Sequence, residues 1–192
     1  TYSSYSGDEF SGFREYSMEE IRGVLIRSPA KTCSLDPIPT DVLLESIDIL
    51  LPFICLMCNS SLSEGCLPGS QKSAIITPVL KKSNLDDAKN YRPISNLTFI
   101  SKVIERIVAE QLKKHLVDSD SMPPLQSAYR SGHSTETALI KVISDIIDAA
   151  DGQQVTLLGL LDMSAAFDTV DHDILLHRLE TSYGIRGRAL RW

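Results

Sequence analysis

The 192-residue sequence predicts an α+β fold, and three observations carry that expectation. Apolar residues recur at helical spacing, most plainly at Ile100, Val103, Ile104, Ile107, Val108, Leu112 and Leu116. The hydrophobic period changes after Pro68, where "SAIITPVLKK" and "NYRPISN" read as the two strands of a hairpin around a polar, Asn/Asp-containing loop. Farther on, "VTLLGLLD" has the unbroken hydrophobicity of a strand buried on both faces.

In chain order, "TYSSYSGDEFSG" is rich in Ser, Gly and Tyr and reads as a loose tail, residues 1–16. Ser17 with Glu20 three residues on is a capping-box pattern that opens a short helix, which Pro29 stops. "CSLDPIPTDVLL" holds two prolines that forbid helix, then Thr40 as an N-cap for a second one. A third helix is expected over Pro52 to Ser63, ending at Gly65. After the hairpin, "FISKVIERIVAEQLKKHL" is an amphipathic helix. Ser134 or Thr135 caps another, "ETALIKVISDIIDAA", closed near Gly152, and "HDILLHRLETSYG" is helical up to Gly184.

Hydrophobic content of 43% is ordinary for a globular chain, and no apolar run is expected to span a bilayer, which takes roughly 20 residues. The chain starts at Thr1 and stops inside "GIRGRALRW", so it reads as a fragment of a longer polypeptide. Net charge is −6, but unevenly spread. Residues 1–70 carry 4 basic and 10 acidic side chains, residues 71–141 carry 11 and 7, and residues 142–192 carry 4 and 8. A basic middle beside an acidic end suits a chain that grips a polyanion on one side and cations on the other. Cys33, Cys55, Cys58 and Cys66 all lie early; the Cys55–Cys58 pair sits in an apolar stretch and reads as buried thiols in a reducing compartment, not as a zinc site.

Four carboxylates, Asp162, Asp168, Asp171 and Asp173, crowd into "LLDMSAAFDTVDHD". Holding them close is costly unless cations or hydrogen bonds offset the repulsion. Either they are solvated cap and turn residues, or at least one binds metal. Asp162 is the better candidate, since an apolar strand would hold its backbone while the carboxylate projects from the strand end. Asp168, Asp171 and Asp173 read as turn and cap groups. Phe167 is read either as core or as a group facing a ligand. Lys81, Lys82, Lys89 and Arg92 cluster on the hairpin, either as a solvated face or as a phosphate grip stiffened by Pro93. "QSAYRSGHSTETAL" mixes Gln126, Tyr129, Arg130 and His133, which suits nucleic-acid contact or a polar interdomain loop.

Taken together, "TPVLKK…NYRPISNLTFISKVIERIVAEQL", "QSAYRSGHSTETAL" and "LLDMSAAFDTVDHDILLHRL" resemble the reverse transcriptase domain of non-LTR (LINE-type) retrotransposons, in the family's order, over roughly residues 30–192. "SLDPIPTDVLL" is similar to the extension ahead of the fingers in these elements. The resemblance implies a right-hand polymerase fold: residues 17–70 the helical extension, 71–151 the fingers, 152–192 the start of the palm. It implies two-metal nucleotidyl transfer with Mg2+, an RNA template, a DNA primer or target DNA, and dNTPs. By the resemblance, Asp162 is the first catalytic aspartate and a ligand of both ions, and the Met163 carbonyl binds one of them. Phe167 is the steric gate against a ribose 2′-OH, and Lys81 and Arg92 hold the triphosphate. Gln126, Tyr129 and Arg130 lie near template and nucleotide. The family's second metal-binding aspartate pair has no counterpart here, since the adjacent Asp86–Asp87 falls in the fingers loop, so the fragment by itself is expected to be inactive. An upstream endonuclease, no membrane, and residence in the nucleus and in cytoplasmic ribonucleoprotein are further implications. Phe167 argues against a viral RNA polymerase. A degenerate or domesticated element kept as a nucleic-acid-binding module is the alternative.

Overall fold

Ser17 opens the first helix as its capping box requires. Its hydroxyl accepts the Glu20 N–H at 3.2 Å while the Glu20 carboxylate accepts the Ser17 N–H at 2.8 Å. In a computed structural model that describes residues 5–81, 90–163 and 166–192, the elements are α1 (Met18–Arg27), α2 (Thr40–Glu45), α3 (Ile47–Glu64), β1 (Ala74–Leu80), β2 (Tyr91–Leu97), α4 (Phe99–Asp118), α5 (Thr135–Asp151), α6 (His172–Tyr183) and α7 (Gly187–Arg191).

Helices α1, α3 and α4 meet on one core. Ile21, Val24 and Leu25 of α1 pack with Leu51, Ile54, Cys58 and Leu62 of α3 and with Val103, Ile104, Ile107 and Val108 of α4. Each helix contributes a stripe at three- and four-residue spacing, which is how an amphipathic helix buries one face. Pro39, not Thr40, holds the N-cap of α2, and Thr40 is its first residue. Helix α3 starts at Ile47, five residues before the expected Pro52, because Ser46 both closes α2 and opens α3. Pro52 therefore sits inside a helix and removes one ladder bond. Contrary to expectation, α3 is long and apolar enough by length and composition to cross a bilayer. One of its faces lies in this core instead. Burial pushes the Cys58 thiol up to about 12; Cys33 is also buried, Cys55 half-buried and Cys66 exposed.

The expected loose tail is corrected over residues 5–16. Phe13 and Tyr16 are buried, and Phe10 packs edge-on against Phe13 at 5.3 Å. Two amide side chains clamp the backbone. Asn59 accepts the Tyr16 N–H and donates to its carbonyl, both at 2.9 Å. Gln111 does the same for Arg14, at 2.9 and 3.1 Å. Each amide supplies what a neighbouring strand would otherwise give. Phe10 also exchanges backbone bonds with Gly184 and Arg186, tying the N-terminal segment to α7. From the same α7, the Arg188 and Arg191 guanidiniums donate to the carbonyls of Ser63 and Glu64, placing cations at the C-terminus of α3.

Arg14 also donates to Glu20 at 2.7 Å. That bond, followed by those from Ser17, holds the Glu20 carboxyl well below its ordinary 4.5, at about 2. A depressed carboxyl stabilises the fold above its unfolded pKa and loses that contribution as pH falls through the folded one. The stability gap between the native chain and Glu20→Gln should therefore close between pH 4.5 and about 2, as followed by urea unfolding at stepped pH. A gap constant across that window would refute it.

Strands β1 and β2 pair antiparallel, as expected, with Pro78 opposite Pro93. Lys81 N–H donates to the Asn90 carbonyl at 2.7 Å, so residues 81 and 90 form a hydrogen-bonded pair. Such pairs alternate with non-hydrogen-bonded ones. Counting back along the register puts the two prolines in a non-hydrogen-bonded pair, where neither owes the ladder an N–H.

The strand expected over Val155–Leu161 does not form. Residues 154–163 hold no regular structure, with Val155 99% and Leu161 100% exposed. A strand exists only with a neighbour to complete its hydrogen bonds. Among the described residues β1 and β2 pair with each other alone. Helix α5 is amphipathic, yet buries no residue.

Candidate active site

Asp162 and Met163 follow this uncovered apolar run, and both are exposed. The described residues resume in a turn over residues 166–169, and Phe167 lies there, 79% exposed. The ring belongs to no core among the described residues. Asp171 then caps α6, its carboxylate accepting the Ile174 N–H at 3.0 Å, and Asp173 lies in the first turn, where negative charge is favoured. Those two aspartates are spent on starting a helix. Asp168 lies in the turn before them. Asp162 offers a hard oxygen of the kind magnesium takes, and so does the Met163 carbonyl. Among the described residues no three His, Cys, Asp or Glu side chains gather into a metal site. These two donors fit part of an octahedral shell, and the remainder would come from groups outside the described residues, substrate or water.

Arg92 lies on β2 opposite Val79, exposed, between Tyr91 and Pro93. Lys81 follows β1 directly. Lys82, Lys89 and Asp86–Asp87 lie outside the described residues. The hairpin's base is fastened to the helical core by a residue that sequence reasoning passed over. Asp36 accepts the Phe99 N–H at 2.8 Å through one oxygen and the Cys33 N–H at 2.6 Å through the other. Beside it the Cys33 thiol donates to the Asn96 carbonyl and Thr98 donates to Gln71 at 2.6 Å. The available signal was Asp36 itself, a carboxylate in front of a proline in an otherwise apolar "SLDPIP". Asp36→Ala should lower stability by about 2 kcal/mol, for two lost bonds to a charged acceptor, as measured by thermal unfolding. A change within about 0.5 kcal/mol, the size of a surface substitution, would show that Asp36 is not the fastening.

The loop between α4 and α5 carries Gln126, Tyr129 and Arg130. Gln126 donates to the Ala128 carbonyl at 3.0 Å and Arg130 to the Pro124 carbonyl at 3.0 Å, so both side chains brace the loop. Tyr129 has φ of 61° and is 75% exposed. A left-handed backbone is unusual for an aromatic residue, and here it turns the ring outward. Ser134 caps α5 in a capping box with Thr137. Between loop and helix lies a cavity of about 390 Å³ lined by Leu125, Ser127, His133, Thr137 and Lys141.

Within the described residues no hydrogen bond, ion pair or ring contact joins Asp162 or Phe167 to Arg92, Gln126, Tyr129 or Arg130. The structure presents the predicted groups on three separate exposed segments instead of gathering them.

The family profile described as reverse transcriptase (RNA-dependent DNA polymerase) matches residues 79–186, more than half of the chain. The RNA-directed DNA polymerase from mobile element jockey of Drosophila melanogaster is 30% identical over 169 residues, 84% of this chain and 18% of that protein. A probable RNA-directed DNA polymerase from transposon BS of the same organism is 30% identical over 129 residues, 67% of this chain and 14% of that protein. The corresponding protein of the X-element is 32% identical over 121 residues, 62% of this chain and 13% of that protein. The chain thus spans less than a fifth of the length of each. With Lys81 and β2 of the hairpin, the loop before α5 and the Asp162 segment all inside one match, the chain belongs to the reverse transcriptase family, in its non-LTR, LINE-type branch.

Proposed function

We propose that this chain supplies the fingers (residues 71–151) and the opening of the palm (152–192), behind a helical extension (17–70), of a retrotransposon polymerase that copies RNA into DNA. It would work with an RNA template, a DNA primer or target DNA, and dNTPs, in the nucleus or in cytoplasmic ribonucleoprotein. The observation that carries this reading is the match over residues 79–186, which takes in every residue assigned a role below.

Asp162 and the Met163 carbonyl would hold magnesium. When bound, such ions would supply activation of a primer hydroxyl and charge stabilisation for the leaving pyrophosphate. This chain's own residues bind and select. Arg92 and Lys81 take the triphosphate as cations on an extended hairpin, Arg92 with the forked geometry that suits phosphate. Tyr129 offers an exposed ring face for a base to stack on, with Gln126 and Arg130 bracing the loop that carries it. Phe167 lies under the sugar and rejects a 2′-OH by bulk.

The test is RNA-templated incorporation of dNTPs by the complete polypeptide. Incorporation that depends on template and magnesium supports the reading. RNA binding without incorporation would make the element a binding module. The 192-residue chain alone should incorporate nothing, since one carboxylate cannot assemble a two-metal site. Its nucleic-acid affinity should reside in residues 71–141 and fall with salt through counterion release. Replacing Lys81, Lys82 and Arg92 with Ala should flatten the slope of log affinity against log salt by up to about 2–3. An unchanged slope would reduce the hairpin to a solvated face.

A further inference from the structure

The face of α3 turned away from the core is apolar. Ile49, Phe53 and Leu56, at i, i+4 and i+7, are 73%, 68% and 68% exposed, and Met18 of α1 is 52% exposed. Beside Leu56 the surface sinks into a cavity of about 350 Å³ lined also by Glu15, Met18, Pro52, Cys55 and Asn59. Single exposed apolar side chains need no explanation, but a ridge of three beside a hollow does. The exposed apolar residues of α5 and of residues 155–161 fall within the family match, whereas this ridge lies outside it.

The margin of the ridge is acidic. Glu15 lines the cavity and, after burial, its charge is what pushes the Cys55 thiol up. Glu19 and Asp48 share a single cation, Arg22. Over residues 1–70 acidic side chains outnumber basic ones by 10 to 4. An anionic lipid surface or a nucleic acid would be repelled here. A second copy of this face would bring acid onto acid.

We propose that this face docks a basic amphipathic helix from a protein partner. Its apolar side chains lie along Ile49, Phe53 and Leu56, one of them entering the cavity, and its lysines or arginines cover Glu15, Glu19 and Asp48. A facing helix repeats the same i, i+4, i+7 spacing, so ridge and occupant match along their lengths. The inference does not depend on the polymerase reading.

The probe is a fluorescein-labelled amphipathic peptide of about 18 residues, long enough to form a helix, with Leu on one face and Lys on the other. A Leu/Glu peptide of identical pattern is its control. With the 192-residue chain, anisotropy should show saturable one-to-one binding of the Leu/Lys peptide, tighter than the control by about tenfold or more. Phe53→Ser with Leu56→Ser should weaken it by about tenfold, with the helical circular dichroism retained. Glu15→Gln with Glu19→Gln should weaken it and reduce its salt dependence. Ile143→Ser with Ile147→Ser on α5 should change nothing. Equal binding of the Leu/Glu peptide, insensitivity to the α3 variant, or loss with the α5 variant would each overturn the proposal. So would anionic vesicles binding this face, or self-association of the chain abolished by Phe53→Ser.

Discussion

Asp162→Asn in the complete polymerase should abolish nucleotide incorporation with both deoxy and ribo substrates, by about 10³-fold in kcat or more. The magnitude follows from removing a charged ligand that two cations would share, a change of several kcal/mol in transition-state charge stabilisation. The same substitution should leave folding alone. Asp162 is exposed and follows a run of irregular, uncovered backbone, so the thermal midpoint of the 192-residue chain should move by no more than a surface substitution does, about 0.5 kcal/mol. Loss of activity with an unmoved midpoint would place Asp162 in the chemistry and not in the fold. Retained activity would remove Asp162 from the chemistry.

Phe167→Ala should act on selectivity instead of rate. In the complete polymerase it should lower the ratio of kcat/KM for dNTP over rNTP by about 10- to 100-fold, the scale set by one steric exclusion of a small group. dNTP use should persist, because a gate acts by rejecting the wrong substrate and not by binding the right one. The structure sharpens this test. A ring that is 79% exposed supports no core among the described residues, so collapse of the fold is not an available explanation for a changed ratio. A ratio unchanged in an active enzyme would take the gate away from Phe167.

Local structure was legible wherever a few neighbouring residues decide it. The Ser17–Glu20 box, the Gly65 and Gly184 stops with their left-handed φ of 64° and 65°, and the hairpin of β1 and β2 all stand as the sequence implied. Family membership was legible too, because three motif blocks in order constrain far more than any one of them. What escaped were features decided at long range. Ser and Gly in the first 16 residues suggested disorder, but Phe10, Phe13 and Tyr16 recur every third residue and pack on the core, while Asn59 and Gln111 on two distant helices clamp the backbone of Tyr16 and Arg14. Asp36 drew no reading at all, because its partner Phe99 lies 63 residues on. The run at residues 155–161 failed in the opposite sense. Its hydrophobicity records burial against something, yet no local signal says that the covering elements lie among these residues. Of the candidate site, the residue types were readable, and the described residues leave them on separate segments because no element packs those segments against one another.

The pairing of Pro78 with Pro93 has a consequence for how this ribbon behaves in a crowd. A two-stranded ribbon has two open margins, each able to recruit a strand from another molecule and begin an aggregate. At a non-hydrogen-bonded position the N–H of an ordinary residue points outward to such a margin, and each proline deletes one. Because the two stand opposite each other, both margins lose a donor at the same height, and a recruited strand meets a gap and a ring whichever side it approaches. The exposed hairpin is thus a poorer template for its neighbours at high local concentration than the same ribbon without the two prolines.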